Sequence, residues 1–326
     1  MKTTVDLPCV IGVVGLAKNT GKTTTLNALI AHQTAEDVAI TSIGLDGEAI
    51  DQITRLPKPR IQLRQGTVFA TAADTLASAT CEPDILETTP FATALGPVII
   101  ARSRQTGHAL IAGPTSNRDL AALITRLKKH ARRVYVDGAF NRVTFANVAS
   151  LEGVVLATGA ALNDDMETTL AKTAHVLRLF ALPHTPESPA DVLTIDTDEA
   201  RHTVPQRHLS AVLNAGSSLR RVHWPGAFTE RTARLLVNHR LANFTLVLDD
   251  ATKAIIGERT MHHLDTLNIT LNVRRPIRVV LITLNPYSPK GKHYDKDAFL
   301  RAAKAHFDVP VINVMDKEDP DHETHP

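Results

Sequence analysis

Ten consecutive residues hold the densest chemistry in the chain: Gly15-Leu16-Ala17-Lys18-Asn19-Thr20-Gly21-Lys22-Thr23-Thr24. A triphosphate packs several negative charges into a small volume, so its site needs many donors at close range. Gly21 lets the backbone come near, and successive N–H groups of such a loop form an anion nest. A helix starting at Lys22 adds its partial positive charge and its open N–H groups. In this reading Lys22 sets an ammonium on the terminal phosphates, and the Thr23 hydroxyl ligates a Mg²⁺ that bridges two of them. Gly15, Lys18, Asn19, Thr20, Gly21, Lys22, Thr23 and Thr24 are the expected nucleotide-binding set. The usual spacing has four residues between the first glycine and Gly-Lys; here five, Leu16 to Thr20, intervene.

Carboxylates should complete such a site. Asp137 ends the apolar run Val134-Tyr135-Val136, where it would hold Mg²⁺ through water; the plain alternative is an aspartate opening a turn at Gly138. Asp46 and Glu48 follow a second apolar run, and Asp46 is expected to position Mg²⁺ or the attacking water, against a surface turn at Asp46-Gly47. Lys22, Asp46 and Asp137 are therefore the expected catalytic residues, and Thr23, Asp46 and Asp137 the metal-binding ones. Arg142, Lys58 and Arg60 could meet phosphate or a second substrate, or simply be solvated. Thr158-Gly159-Ala160 suits a base contact or a strand-to-helix turn. Asn285-Pro286-Tyr287-Ser288-Pro289-Lys290-Gly291 closes another apolar run with a stiff polar loop suited to a ligand or partner. His262, His263, His322 and His325 lack metal spacing.

These residues need a strand before and a helix after the loop. Cys9 to Val14 is β-branched and reads as a buried strand. Lys22 to Gln33 places Leu26, Leu29 and Ile30 on one helical face. Val38 to Leu45 reads as the next strand. This order predicts a parallel sheet with right-handed crossovers. Further strands are expected at 67–70, 97–101, 108–112, 133–137 and 153–157, and helices from about 71 through Ala79, at 117–129 and at 163–180. Three prolines between Pro183 and Pro189 break the pattern, and 191–207 is polar without clear period. Strands at 221–224, 244–248, 269–273, 278–284 and 311–314, and helices at 228–238 and 296–305, follow, with Thr229 as a cap. The expected architecture is α/β: a parallel-sheet P-loop domain over 1–210, a smaller α/β domain over 211–316, and a disordered charged tail over 317–326.

The chain has 326 residues, 43% of them hydrophobic and 4% aromatic, and a formal charge of +2. Two domains are the natural expectation at that length, and the near balance of charge argues against a global nucleic-acid or membrane field. Cys9 and Cys81 lie too far apart for a metal or redox motif and read as reduced thiols. The apolar run at Cys9 to Leu16 is too short for a signal peptide or membrane span. A cytoplasmic protein without nucleic-acid or membrane partners is expected.

The Gly-x5-Gly-Lys-Thr spacing resembles the phosphate loops of the dethiobiotin synthetase and cobyrinate synthase group, within the class that includes nitrogenase iron protein and MinD. Ala17 stands five residues before Lys22, where the MinD-type loop carries a second lysine, so a MinD-like dimer is not implied. Together with the loop, Thr41-Ser42-Ile43-Gly44-Leu45-Asp46-Gly47-Glu48, Lys58-Pro59-Arg60-Ile61, Val136-Asp137-Gly138-Ala139, Ala157-Thr158-Gly159-Ala160-Ala161 and Asn285-Pro286-Tyr287-Ser288-Pro289 resemble the ATPase subunit of the lysine 5,6-aminomutase reactivase. That resemblance implies an ATP- and Mg²⁺-dependent ATPase with a chaperone role. It would exchange damaged for intact adenosylcobalamin in an aminomutase, alongside a second reactivase subunit. Lys22, Thr23, Asp46 and Asp137 carry over. The alternatives are an ATP-dependent ligase or kinase of the dethiobiotin synthetase type, with Lys18, Lys58 and Arg60 as candidates for an acidic substrate, and a nucleotide-dependent regulator with little turnover.

Overall fold

The computed structural model describes residues 7–43, 61–138, 140–141, 144–145, 150–185, 192–204 and 209–315. Asp46, Glu48, Lys58, Arg60, Arg142 and the tail 317–326 lie outside the described residues. The fold is mixed α/β with one large, mostly parallel sheet. Contacts divide the chain into two compact units, residues 1–171 with 279–326, and residues 172–278.

The first unit is built on a nine-stranded sheet. Its order is Val311–Asn313, Val279–Asn285, Gly153–Gly159, Val10–Gly15, Arg133–Asp137, Val38–Ser42, Val68–Ala72, Gly96–Ser103 and Pro83–Thr93. The first seven run parallel, and the last two add an antiparallel hairpin. Parallel strands covered on both faces read as continuous apolar runs. Gly153–Gly159 and Val38–Ser42 are accordingly buried at every position. Ile11, Val13, Leu26, Ile30, Ile40 and Tyr135 belong to the core between the sheet and the helix Lys22–Ala31.

The second unit has a five-stranded sheet, ordered Arg201–Val204, Leu193–Thr197, Leu219–Trp224, Phe244–Asp250 and Ile269–Arg275. The last three are parallel and are joined through helices Glu230–Asn238 and Glu258–Thr266, which bury Ala233, Leu236, Met261 and Leu264.

The contact-based division departs from a linear split at 210/211. The strands Val279–Asn285 and Val311–Asn313 pair beside Gly153–Gly159 and extend the first sheet, so the second unit is an insertion between residues 171 and 279. The polar stretch 191–207 contains a hairpin, Leu193–Thr197 with Arg201–Val204. The helix expected through Ala79 is one turn, Ala73–Leu76. The helix expected from Asn163 starts at Met166, where the Asp165 carboxylate accepts from the Thr168 N–H at 2.8 Å. Pro83–Thr93 was not expected as a strand: Pro83 opens it, Pro90 lies within it and its register shifts twice, features tolerated at a sheet edge. No helix among the described residues is long and apolar enough to cross a membrane.

Candidate functional site

The strand Val10–Gly15 is flanked by Gly153–Gly159 on one side and Arg133–Asp137 on the other. All three run the same way, so their carboxyl ends meet at one edge, where open α/β sheets bind ligands. Gly15 leads there into the loop. The loop is pinned at its start by the Leu16 N–H, which donates to the Ala157 carbonyl at 3.0 Å. The buried Thr20 hydroxyl donates to the Ala17 carbonyl at 2.9 Å and closes the turn. A Cβ at Gly15 would stand 2.7 Å from the Thr20 oxygen, so the turn excludes a side chain there.

Asn19 and Gly21 both take positive φ, 64° and 86°, a region glycine and asparagine occupy most readily. Gly21 is the N-cap of the helix Lys22–Ala31, and no side chain caps that helix. The first turn holds no acidic residue either. The first intrahelical bond runs from the Thr25 N–H to the Gly21 carbonyl at 2.8 Å. The N–H groups of Lys22, Thr23 and Thr24 therefore precede the helical ladder, as at any helix start. Below them, the buried hydroxyls of Thr25 and Thr283 lie 2.6 Å apart and tie the helix to the strand Val279–Asn285.

Lys22 meets the carboxylate expected from the sequence. Its Nζ lies 3.7 Å from Asp137 Oδ1. That oxygen is buried and, among the described residues, has no hydrogen-bond donor. The neighbouring strand end, Ser42, is in register with Asp137. Its hydroxyl donates to the Ile111 carbonyl at 3.0 Å and accepts from the Gly113 N–H at 2.9 Å. The backbones touch so closely that a Cβ at Gly113 would fall 1.7 Å from the Ser42 carbonyl oxygen.

Lys22, Thr23, Thr24, Asp137 and the loop glycines thus gather at one edge, while Lys18 and Asn19 lie exposed on the loop. His262 and His263 are exposed on a helix of the other unit. Among the described residues, no three His, Cys, Asp or Glu side chains gather as a metal site. Asn285 is the residue whose place the sequence reading misassigned. It belongs to the first unit, packs on Gly21, and donates through its side-chain amide to the Asn19 carbonyl at 3.4 Å. The available signal was a polar residue ending the apolar run Val279–Leu284; the strand partner that brings it to the loop is not visible in sequence.

Comparison with protein-family models, with curated proteins and with solved structures gave no significant match.

Proposed function

We propose that this chain is a P-loop protein that binds ATP with Mg²⁺ at the Gly15–Thr24 loop and hydrolyses it. The observation that carries the reading is the helix start at Lys22: left-handed at Gly21, without a capping side chain or first-turn acid, and presenting a lysine. Backbone donors and a helix dipole left open in this way favour an anion, and a triphosphate engages all of them at once. Lys22 would transfer its ammonium from Asp137 to the terminal phosphates, where charge builds during phosphoryl transfer.

The residues present fit a magnesium ion. Mg²⁺ keeps several waters and takes one or two carboxylates plus phosphate oxygens. Asp137 supplies a buried oxygen that has no hydrogen-bond donor among the described residues, and Thr23 a hydroxyl on the first helical turn. When bound, the ion would offset phosphate charge. Asp46 remains the expected second carboxylate.

The reactivase role rests on the sequence phrases alone. In that role ATP binding favours one conformation of a complex with a cobalamin-dependent aminomutase, and the products are ADP and phosphate only. A ligase or kinase would consume ATP against an acceptor. A pull-down from native lysate with and without ATP separates these roles: ATP-dependent capture of an aminomutase supports the first, and its absence removes it.

The nucleotide reading is tested by calorimetry with Mg-ATP on the wild type and on Lys22→Ala. Affinity that is the same in both overturns the site. Asp137→Asn is expected to reduce Mg²⁺-dependent turnover more than binding, and turnover equal to wild type would remove Asp137 from the chemistry.

A further inference from the structure

The loop after the strand Val279–Asn285 supplies the other half of a nucleotide site: we propose that Pro286–Tyr287, with the Tyr287 ring as its face, is a stacking platform for a purine base. This rests on the triphosphate reading above.

Direction comes first. Lys22 Nζ lies beside Asp137, so the terminal phosphates belong on the side of the strand Arg133–Asp137. That strand and Gly153–Gly159 flank Val10–Gly15 on opposite sides, with Val13 in register with Asp137 and Gly15 in register with Ala157. A polyphosphate ending beside Asp137 leaves its nucleoside over the carboxyl ends of Gly153–Gly159 and Val279–Asn285.

Those two ends are fused. The Ala160 N–H donates to the Asn285 carbonyl at 3.0 Å, and a Cβ on Gly159 would lie 2.0 Å from that oxygen. The Asn285 side chain reaches back to the phosphate loop, donating to the Asn19 carbonyl, while its Oδ1 accepts from the Tyr287 N–H at 3.1 Å. One amide therefore fixes both the loop and the residue two positions on. Two residues span at most about 7 Å, the scale of a ribose.

Tyr287 is 43% exposed, although large apolar side chains are otherwise mostly covered. Its ring is nonetheless braced. It makes a T-shaped contact with His293, ring centroids 5.3 Å apart, and the His293 Nδ1 accepts from the Ser288 N–H at 3.2 Å. The Tyr294 N–H donates to the Pro286 carbonyl at 2.9 Å, and the Tyr294 hydroxyl donates to the Asn163 carbonyl at 2.6 Å. The result is an aromatic face held in place before any ligand arrives, which lowers the entropic cost of stacking. A purine offers the larger π-surface, and stacking of this kind tolerates different ring substituents.

The test uses the full-length chain and measures affinity for Mg-ATP, Mg-GTP, Mg-CTP and inorganic tripolyphosphate, the last a probe without a base. Tyr287→Ala is expected to weaken ATP and GTP binding on the order of tenfold, the scale of one lost base–aromatic stack. Tripolyphosphate affinity should stay unchanged, and Tyr287→Phe should restore nucleotide binding. Wild type should prefer ATP and GTP to CTP. ATP affinity unchanged in Tyr287→Ala overturns the platform alone, as does equal loss of ATP and tripolyphosphate, and equal affinity for CTP overturns the purine preference. A wild type that binds neither nucleotide nor tripolyphosphate overturns the underlying reading and this one with it.

Discussion

Two helix starts, one in each unit, are treated in opposite ways. In the insertion, the strand Leu219–Trp224 leads into a turn that fills itself: Trp224 Nε1–H donates to the Ala227 carbonyl at 3.1 Å, and the Trp224 and Phe228 rings meet edge to face. Thr229 caps the next helix by accepting from the Thr232 N–H at 3.4 Å, and Glu230 adds a negative charge to its first turn. The Glu230 carboxylate also accepts from the Gly257 N–H at 2.5 Å and the Thr260 hydroxyl at 2.6 Å, so the following helix starts against an internal anion. In the first unit the helix Lys22–Ala31 receives neither cap nor acid. Within the first unit, Asn117–Leu127 and Lys296–His306 are capped by Ser116 and Asp295 and carry Asp119 and Asp297 in their first turns, whereas the start at Lys22 has neither cap nor acid and presents a lysine. Orphan donors at a helix start are satisfied by side chains, water or ligand, and the contrast is what the proposed nucleotide site rests on.

The sharpest way to break that contrast is Lys22→Ala. Turnover should be abolished, and triphosphate affinity should fall by one to two orders of magnitude, as expected when a charge-assisted contact worth about 1.5–3 kcal/mol is lost; calorimetry and phosphate release check both. Gly21→Ala comes next. At φ 86°, with Asn285 Cβ 3.0 Å from the added carbon, it should cost about 1–2 kcal/mol of stability and weaken triphosphate binding. Gly226→Ala, at φ 73° in the insertion, should destabilise similarly by thermal melt and leave triphosphate binding at the wild-type value. Equal binding loss in both would end the distinction between the two helix starts.

Glu230 sharpens the comparison through pH. The hydrogen bonds from Thr260, chiefly, and from the Gly257 N–H lower its pKa below the ordinary 4.5. A lowered folded-state pKa means that its stabilisation is present above about 4.5 and fades as pH falls towards the depressed folded value. Glu230→Gln should therefore melt earlier than wild type at neutral pH, with the gap narrowing on acidification below that point. A gap independent of pH would show that the carboxylate charge is not the stabilising feature. The smallest expected effect is Thr229→Ala: loss of one cap, about 1 kcal/mol, visible in the melting temperature and absent from nucleotide affinity.

The local structure of the Gly15–Thr24 loop was legible in sequence because it depends on neighbouring residues. A β-branched run, a glycine at a left-handed position and a helical period within twenty residues determine where the backbone donors and Lys22 lie. Asp137 was legible for the same reason, since it ends an apolar strand, and its meeting with Lys22 needed only that its strand pair beside Val10–Gly15. Three strands of the insertion, Leu219–Trp224, Phe244–Asp250 and Ile269–Arg275, were also readable, because β-branched and leucine-rich runs such as Phe244–Leu248 announce themselves without partners; the polar hairpin Leu193–Thr197 with Arg201–Val204 did not. The helix Glu258–Thr266 was missed; its apolar face has little more than Met261 and Leu264 to show.

Tertiary structure alone decided which strands share a sheet. Val279–Leu284 and Phe244–Leu248 look alike as apolar runs, and only pairing sends the first beside Gly153–Gly159 and the second beside Leu219–Trp224. Strand identity depends on nearby side chains, whereas strand partnership depends on contacts with distant segments, which for Val279–Leu284 lie more than a hundred residues away. Asn285 could therefore be seen in the sequence as a polar strand end, but its place against Gly21 arises only when the chain returns from the insertion to close the first sheet.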